Sequence, residues 1–155
     1  MTTQLDFVYE HEQKRPDDVW LTQPMGGGRV ETFTFARALD EARRMAAHLR
    51  SLDLPARSHV ALFSKNTAWW FLADLAIWMA GHVTVPLYPT LTPETIRQIL
   101  EHSEAKLIFV GKLDGWDRMK DGIPAGMPKI TTNGLAATKA PGRSWKVSRN
   151  CRRSA

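Results

Sequence analysis

The sequence has almost no cysteine and no long apolar run. Its single cysteine, Cys151, excludes an intramolecular disulfide and fits a reducing compartment. The longest largely apolar stretch, residues 68–81, is interrupted by Asp74 and falls short of the about 20 residues that a membrane-spanning helix needs. Residues 1–13 carry acidic side chains and lack the basic region and apolar block of a signal peptide. We therefore expect a cytoplasmic protein, free or peripheral to a membrane surface, with no transmembrane segment.

Acidic residues are absent from the end of the chain. Residues 134–155 hold none of the 16 Asp and Glu but several of the 21 Lys and Arg, so the formal net charge of +5 comes from this segment. A basic stretch with so few apolar residues cannot bury enough surface to offset its ordering entropy. We predict a disordered basic tail over residues 132–155 and expect no specific nucleic-acid partner. The alternative is that the tail binds nucleic acid or anionic lipid through phosphate contacts.

A length of 155 residues predicts one domain. With 43% hydrophobic and 24% charged residues, the composition is that of a globular protein. Nearly continuous apolar runs at 59–63, 82–87 and 106–110 predict strands that are covered on both faces. Helical periodicity fills the intervals between them, and this spacing is typical of crossover units on a parallel sheet. The sequence therefore predicts an α/β fold with an incomplete parallel βαβαβ layer.

Turn and capping residues place the other elements. The glycines at 26–28 predict a hairpin turn before a strand at 29–33. Three helices are expected after N-caps, and the candidates for those caps are Thr34, Asn66 or Thr67, and Thr92 followed by Pro93. Beyond residue 110, Leu113, Trp116 and Met119 predict one short helix, and residues 123–130 the beginning of another extended segment.

Most residues of types that could take part in catalysis or ligand binding have a structural explanation. The glycines at 26–28 lack the Gly-Lys-Ser/Thr ending of a phosphate loop, and the five histidines have no spacing suited to a metal. The stretch 64–66 lacks the flanking glycines of a nucleophile elbow. His102 between two glutamates is favourable to a helix C-terminus, although an acid–base cluster is the alternative.

Two other features, a group of tryptophans and a proline-rich turn, could have either a functional or a structural role. Trp69, Trp70 and Trp78 recur at helical spacing, which favours a core position over an aromatic pocket. The turn at 86–93 follows a predicted parallel strand and precedes a helix N-terminus, which is where open α/β sheets bind anionic ligands. Its prolines would serve equally well as a simple connection between the two elements.

Two stretches of the sequence resemble a known family. RVETFTFARALDEARRMAAHLR (29–50) and the region 59–110, with its Asn-Thr cap, Ala-Gly break and Val-Pro-Leu-Tyr-Pro-Thr turn, are similar to the N-terminal part of the adenylate-forming acyl-CoA synthetases. Within that family they most resemble the bacterial long-chain fatty-acid–CoA ligases. The resemblance runs from about residue 5 to about residue 130, so residues 1–131 are predicted to be a partial N-terminal region of an AMP-binding domain.

The resemblance implies a reaction and a set of ligands. Family members use ATP and magnesium to activate a fatty acid as an acyl-adenylate, and the thiol of coenzyme A then displaces AMP. It also implies that Tyr88, Pro89 and Thr90, together with Lys112, lie near the coenzyme A nucleotide. No catalytic residue and no metal ligand carries over to this sequence.

The family's phosphate loop and catalytic lysine have no counterpart in the sequence. We therefore expect a truncated long-chain fatty acyl-CoA synthetase that is inactive alone, and the departure from the family pattern after about Thr132 suggests a truncated or frame-shifted gene product. Two alternatives stay open: nucleic-acid binding through the tail, and a non-catalytic interaction module. An incomplete sheet would leave an unpaired edge, through which self-association is expected.

Overall fold

The computed structural model describes residues 2–132, and residues 145–147 as main chain. Its elements in chain order are α1 (Gln4–Lys14), β1 (Val19–Gly26), β2 (Arg29–Thr34), α2 (Phe35–Ser51), β3 (His59–Phe63), α3 (Ala68–Met79), β4 (Val83–Leu87), α4 (Pro93–His102), β5 (Leu107–Val110), α5 (Trp116–Met119), a 3₁₀ turn (Lys120–Gly122), β6 (Lys129–Thr132) and β7 (Trp145–Val147). None of the helices in these ranges has the length and apolar character that crossing a bilayer requires.

Five strands form the main sheet in the order β4-β3-β5-β6-β7. β3 lies between its two parallel neighbours, so Val60 is opposite Thr84 of β4 on one side and Leu107 of β5 on the other. β6 continues the sheet in parallel beyond β5, and β7 is antiparallel to β6. The predicted α/β fold with parallel strands and intervening helices is confirmed.

The predicted disordered tail needs one correction. Residues 145–147 lie within the segment 132–155 and form β7, so the expectation of no regular structure does not hold for these three residues. Residues 145–147 form a strand because they pair with β6, whose outer side would otherwise leave main-chain groups unpaired. The other residues of the predicted tail after Thr132 lie outside the described residues.

Side chains alternate along the strands between two helical layers. Val60 and Leu62 of β3 point to the layer built from α2 and α3, where Leu107, Phe109 and Ile130 join them. Ala61 and Phe63 point to the opposite layer, which is formed by α4 and the residues around α5. This period of two with both faces buried is what a continuous apolar run such as HVALF indicates.

A third cluster attaches the β1–β2 hairpin to the α2–α3 layer. Phe33 of β2 is fully buried and meets the indole of Trp69 edge to face, with 6.2 Å between ring centroids. The three glycines at 26–28 all have positive φ and form the predicted turn. The hairpin is therefore a packed part of the fold and not a loose extension.

Helix α1 was not predicted from the sequence. It begins with a capping box in which the Thr3 side chain accepts from the Asp6 N–H and the Asp6 side chain accepts from the Thr3 N–H. No residue of α1 is fully buried, and only Leu5 and Val8, at helical spacing, pack half-buried against the α2–α3 layer, so its apolar stripe is short. Arg43 of α2 holds α1 in place through a bidentate ion pair with Glu12 and a position 5.6 Å from the Tyr9 ring.

The predicted N-caps are confirmed, with Thr67 rather than Asn66 as the cap of α3. Thr34, Thr67 and Thr92 each accept a hydrogen bond from the N–H three residues on, at 3.2 to 3.3 Å. The tryptophans of α3 differ from expectation. Trp69 is buried, but Trp78 is 38% exposed, as is Phe71 two helical turns before it at 44%.

Candidate functional site at the carboxyl ends of β3, β4 and β5

Three loops meet at one edge of the sheet because β3, β4 and β5 are parallel. The loop after β3 leads to α3 on one face, whereas the loops after β4 and β5 lead to α4 and α5 on the other face. The chain thus departs in opposite directions from adjacent strands. In open α/β sheets such a switch point opens a crevice at the carboxyl ends of the strands, and ligands bind there.

The crevice between β3 and β4 has a volume of about 290 Å³. Its lining residues come from the ends of both strands and from the first turn of α3, and they are Ser64, Asn66, Trp70, Pro86, Leu87, Tyr88 and Pro89. Tyr88 is 78% exposed, so its ring stands free in solvent beside the opening. An apolar wall with an amide and a hydroxyl nearby suits an organic ligand that carries a few polar atoms.

The hydroxyl of Ser64 is not arranged as a nucleophile. Its Oγ donates to the main-chain O of Lys65 at 2.8 Å, and the residue is 3% exposed. None of the described histidines or carboxylates is hydrogen-bonded to Ser64, so the arrangement lacks the base that an activated serine requires. Among the described residues, the crevice therefore offers a lined cavity without an activated nucleophile.

The other side of β3 is closed by contacts between the loops after β3 and β5. Lys65 donates its main-chain N–H to the O of Lys112 at 2.9 Å, and its ammonium pairs with Asp114. The Lys65 hydrogen bond, its charge and the charge of Lys112 hold the pKa of Asp114 below its usual range, against a small opposing effect of desolvation. Gly111 brings the strands close, since a Cβ there would lie 2.3 Å from Ser64 Oγ and 2.9 Å from Thr132 Oγ1.

A second cavity of about 230 Å³ lies at the N-terminus of α4. It is lined by Thr90, Leu91, Thr92, Pro93, Arg118 and Met119. The first turn of α4 is already capped, because Thr92 Oγ1 accepts from the Thr95 N–H at 3.3 Å. The Arg118 side chain is therefore the charged group that this cavity offers to an anion.

The four sequence-predicted site residues lie in three places along this edge. Tyr88 and Pro89 line the β3/β4 crevice, and Thr90 lines the second cavity. Lys112 is exposed after β5 and lines neither. Because β3 separates β4 from β5, Lys112 and Tyr88 follow strands that are two spacings, about 9.6 Å, apart.

Sequence reasoning missed the contribution of the loop after β3. Asn66 and Trp70 line the same crevice as Tyr88 although they are distant in sequence. The available signal was the position of Asn66 directly after a parallel strand, which is where binding residues concentrate. In the described part of the chain, no three His, Cys, Asp or Glu residues come together in a way that could hold a metal.

Comparisons with known proteins identify a family and several relatives of this chain. The sequence model of the family described as AMP-binding enzyme matches residues 8–147, and the match continues past Thr132, where the sequence was expected to leave the family pattern. Long-chain-fatty-acid–CoA ligase FadD15 of Mycobacterium tuberculosis (strain ATCC 25618 / H37Rv) is 38% identical over 102 residues, which are 66% of this chain and 17% of that ligase. A 3-[(3aS,4S,7aS)-7a-methyl-1,5-dioxo-octahydro-1H-inden-4-yl]propanoyl:CoA ligase of Rhodococcus jostii (strain RHA1) is 37% identical over 87 residues, 56% of this chain and 17% of that protein.

Solved structures share the fold. The crystal structure of IdnL1 gives a TM-score of 0.75 at 19% identity and covers 94% of this chain and 27% of its own. A benzoate CoA ligase from Burkholderia xenovorans LB400 gives 0.73 at 21% identity and covers 86% of this chain and 26% of its own. The chain thus spans about a quarter of these structures and 17% of the two curated ligases. With a family match over residues 8–147, the chain belongs to the AMP-binding enzyme family.

Proposed function

We propose that this chain forms the N-terminal part of the large domain of a long-chain fatty acyl-CoA ligase. The observation that carries the proposal is the family match over residues 8–147 together with 38% identity to a long-chain-fatty-acid–CoA ligase. The reaction that follows from it is activation of a fatty acid with ATP to an acyl-adenylate and transfer of the acyl group to coenzyme A. The single cysteine is consistent with the reducing environment of a cytoplasmic or membrane-peripheral location.

Within that function, the sheet edge contributes to binding the nucleotide of coenzyme A. Tyr88 offers an exposed aromatic face beside Pro89, and Lys112 offers a cation on the far side of β3. Stacking on an aromatic ring suits a base, and an ammonium suits a phosphate. The separation of about two strand spacings matches a ligand that is longer than a single ring.

The chain alone is expected to lack adenylation activity. Such chemistry depends on positioned donors and cations around the ATP phosphates. Among residues 2–132, the one run of consecutive glycines forms the tight β1–β2 turn and lacks the Gly-Lys-Ser/Thr ending of a phosphate loop. Pyrophosphate–ATP exchange with the purified 155-residue chain and a panel of fatty acids tests this expectation. Turnover above the blank would contradict it.

Coenzyme A binding is tested by titration of the same chain, with the fluorescence of its tryptophans as the readout, since Trp70 lines the crevice. We expect Tyr88→Ala and Lys112→Ala to weaken saturable binding several-fold. The matched controls are Phe7→Ala, another exposed ring, and Lys106→Ala, which lies before the opposite end of β5. Equal effects of the controls, or no saturable binding by the wild type, would count against this role.

The acid class is tested on a longer polypeptide. A chimera in which residues 8–147 replace the corresponding segment of the Mycobacterium tuberculosis ligase should form long-chain acyl-CoA. A chimera that is folded by circular dichroism and cooperative melting but forms no thioester would contradict the proposal.

A further inference from the structure

The outer edge of β4 is the free end of the sheet in the described residues. The strand order begins with β4, and residues 2–132 and 145–147 supply no strand beyond it. An exposed strand edge is a template for pairing with another chain. What this edge can bind depends on which main-chain groups point outward.

Hydrogen bonds across the sheet fix the direction of each residue. Val83 donates its N–H to the O of Ser58 at 3.0 Å, so the main chain of Val83 points inward to the β3 side. Main-chain groups of successive residues in a strand point to opposite sides, so Val85 and Leu87 also point inward. Thr84 and Pro86 therefore point to the outer edge.

This outer edge is short of donors. Proline has no N–H, so Pro86 presents a carbonyl without the donor that a ladder needs beside it. Thr84 is left as the one residue of β4 whose N–H points outward. A partner strand would find two acceptors and a single donor, which is too few for the alternating pairs of an added strand.

A carboxylate adds to this protection. Thr84 Oγ1 donates to Asp74 Oδ1 at 2.6 Å, which places the half-buried carboxyl of α3 beside the same strand. Charged side chains placed near an edge disfavour strand addition because pairing would remove them from water. Trp70 of α3 and Pro86 of β4 both line the β3/β4 crevice near this edge.

We propose that the outer edge of β4 is closed to strand addition by Pro86, with Thr84 and Asp74 beside it, so that neither a second copy of this chain nor an extended peptide pairs there. This inference does not depend on the proposed ligase function. It restricts the self-association expected from the sequence to surfaces other than this edge.

The test compares the wild type with Pro86→Thr, which restores the N–H and β propensity without adding apolar surface. Amide hydrogen exchange at Thr84 and the mass by light scattering are measured over a concentration series. We expect the Thr84 amide of the wild type to exchange quickly at every concentration, whether or not the chain associates elsewhere. Pro86→Thr should give concentration-dependent dimers in which the amides of residues 84 and 86 become protected. Pro55→Thr, a substitution in an exposed turn, is the matched control and should behave as the wild type.

Two results would overturn the inference. One is a wild type whose Thr84 amide becomes protected as concentration rises, since this would show pairing at the native edge. The other is a folded Pro86→Thr variant without new association or protection, since the proline would then not be what keeps the edge closed. If the variant does not fold, the exchange of the wild-type Thr84 amide alone decides.

Discussion

Gln23 Oε1 accepts a hydrogen bond of 2.9 Å from the main-chain N–H of Ala68. Gln23 lies in β1 and is 9% exposed, and Ala68 is the first residue of α3. The bond joins the hairpin to the beginning of the helix that leads away from the β3/β4 crevice, and it satisfies one of the helix N–H groups that have no partner within the helix. The hairpin therefore helps to fix the position of α3 and, through it, one wall of the candidate site.

Replacing Gln23 with alanine should destabilise the fold measurably. The substitution leaves the buried Ala68 N–H without its acceptor, which costs about 1 to 3 kcal/mol. The measurement is the urea unfolding midpoint, with tryptophan fluorescence as the signal. Gln13→Ala on the exposed side of α1 is the control and should stay close to the wild type. Equal midpoints for the two variants would show that the Gln23 bond contributes little.

Gly111→Ala should destabilise the carboxyl edge of the sheet. The added Cβ would lie 2.3 Å from Ser64 Oγ and 2.6 Å from Ser64 Cβ, so β3 and β5 would have to separate. Such overpacking costs about 1 to 3 kcal/mol, to be read from thermal or urea unfolding. Gly126→Ala is a matched control because a Cβ there meets nothing within 4 Å.

A second substitution distinguishes the clash with Ser64 from a backbone effect. The double variant Ser64→Gly with Gly111→Ala removes the atoms that the new methyl group meets first. We expect it to be more stable than the sum of the two single changes predicts. Strict additivity would mean that the cost of Gly111→Ala arises elsewhere.

The elements that the sequence predicted best are those with a local cause. The run HVALF is apolar without interruption and forms β3 over His59–Phe63 as predicted. Thr92 with Pro93 is a local capping signal, and α4 begins there. Helix α1 has a weaker local signal, which consists of its capping box and the half-buried pair Leu5 and Val8, and its ion pair between Glu12 and Arg43 forms only in the folded chain.

The candidate site was predicted in part for a related reason. Tyr88 could be placed at the carboxyl end of a parallel strand from the local pattern alone. Its neighbours Asn66 and Trp70 follow from the strand order, in which β3 lies between β4 and β5. The spacing of strands and helices along the chain is the same for other orders, so the sequence could not select this one or separate Lys112 from Tyr88.

Acidification should lower the free energy of unfolding through two histidines. Burial lowers the pKa of His48 and of His82, and the buried ring atoms His48 Nε2 and His82 Nδ1 have no hydrogen-bond partner. The unfolded chain then takes up protons more readily than the folded one, so stability is full above the ordinary value of about 6.5 and is lost as pH falls through the lower folded values. Urea unfolding at a series of pH values between neutral and mildly acidic measures this slope.

The histidine contribution is isolated by substitution. His48→Gln and His82→Asn should each reduce the slope, whereas His102→Gln, at an exposed helix end, should leave it unchanged. If all three variants keep the wild-type slope, the loss of stability must come from other groups.

Asp74→Asn should stabilise the fold near neutral pH. Desolvation raises the pKa of Asp74 above its usual range and outweighs the opposing hydrogen bond from Thr84, so the folded chain binds a proton here more readily than the unfolded chain. The native contribution of the protonated group is therefore full below the ordinary value of about 3.9 and is lost as pH rises through the higher folded value. Asparagine keeps the acceptor for Thr84 without the charge, so its advantage over aspartate should be present at pH 7 and vanish toward pH 4. Asp17→Asn in an exposed turn is the control, and unfolding midpoints at the two pH values are the measurement. An Asp74→Asn variant that is less stable than the wild type at pH 7 would mean that the charge itself strengthens the contact between α3 and β4.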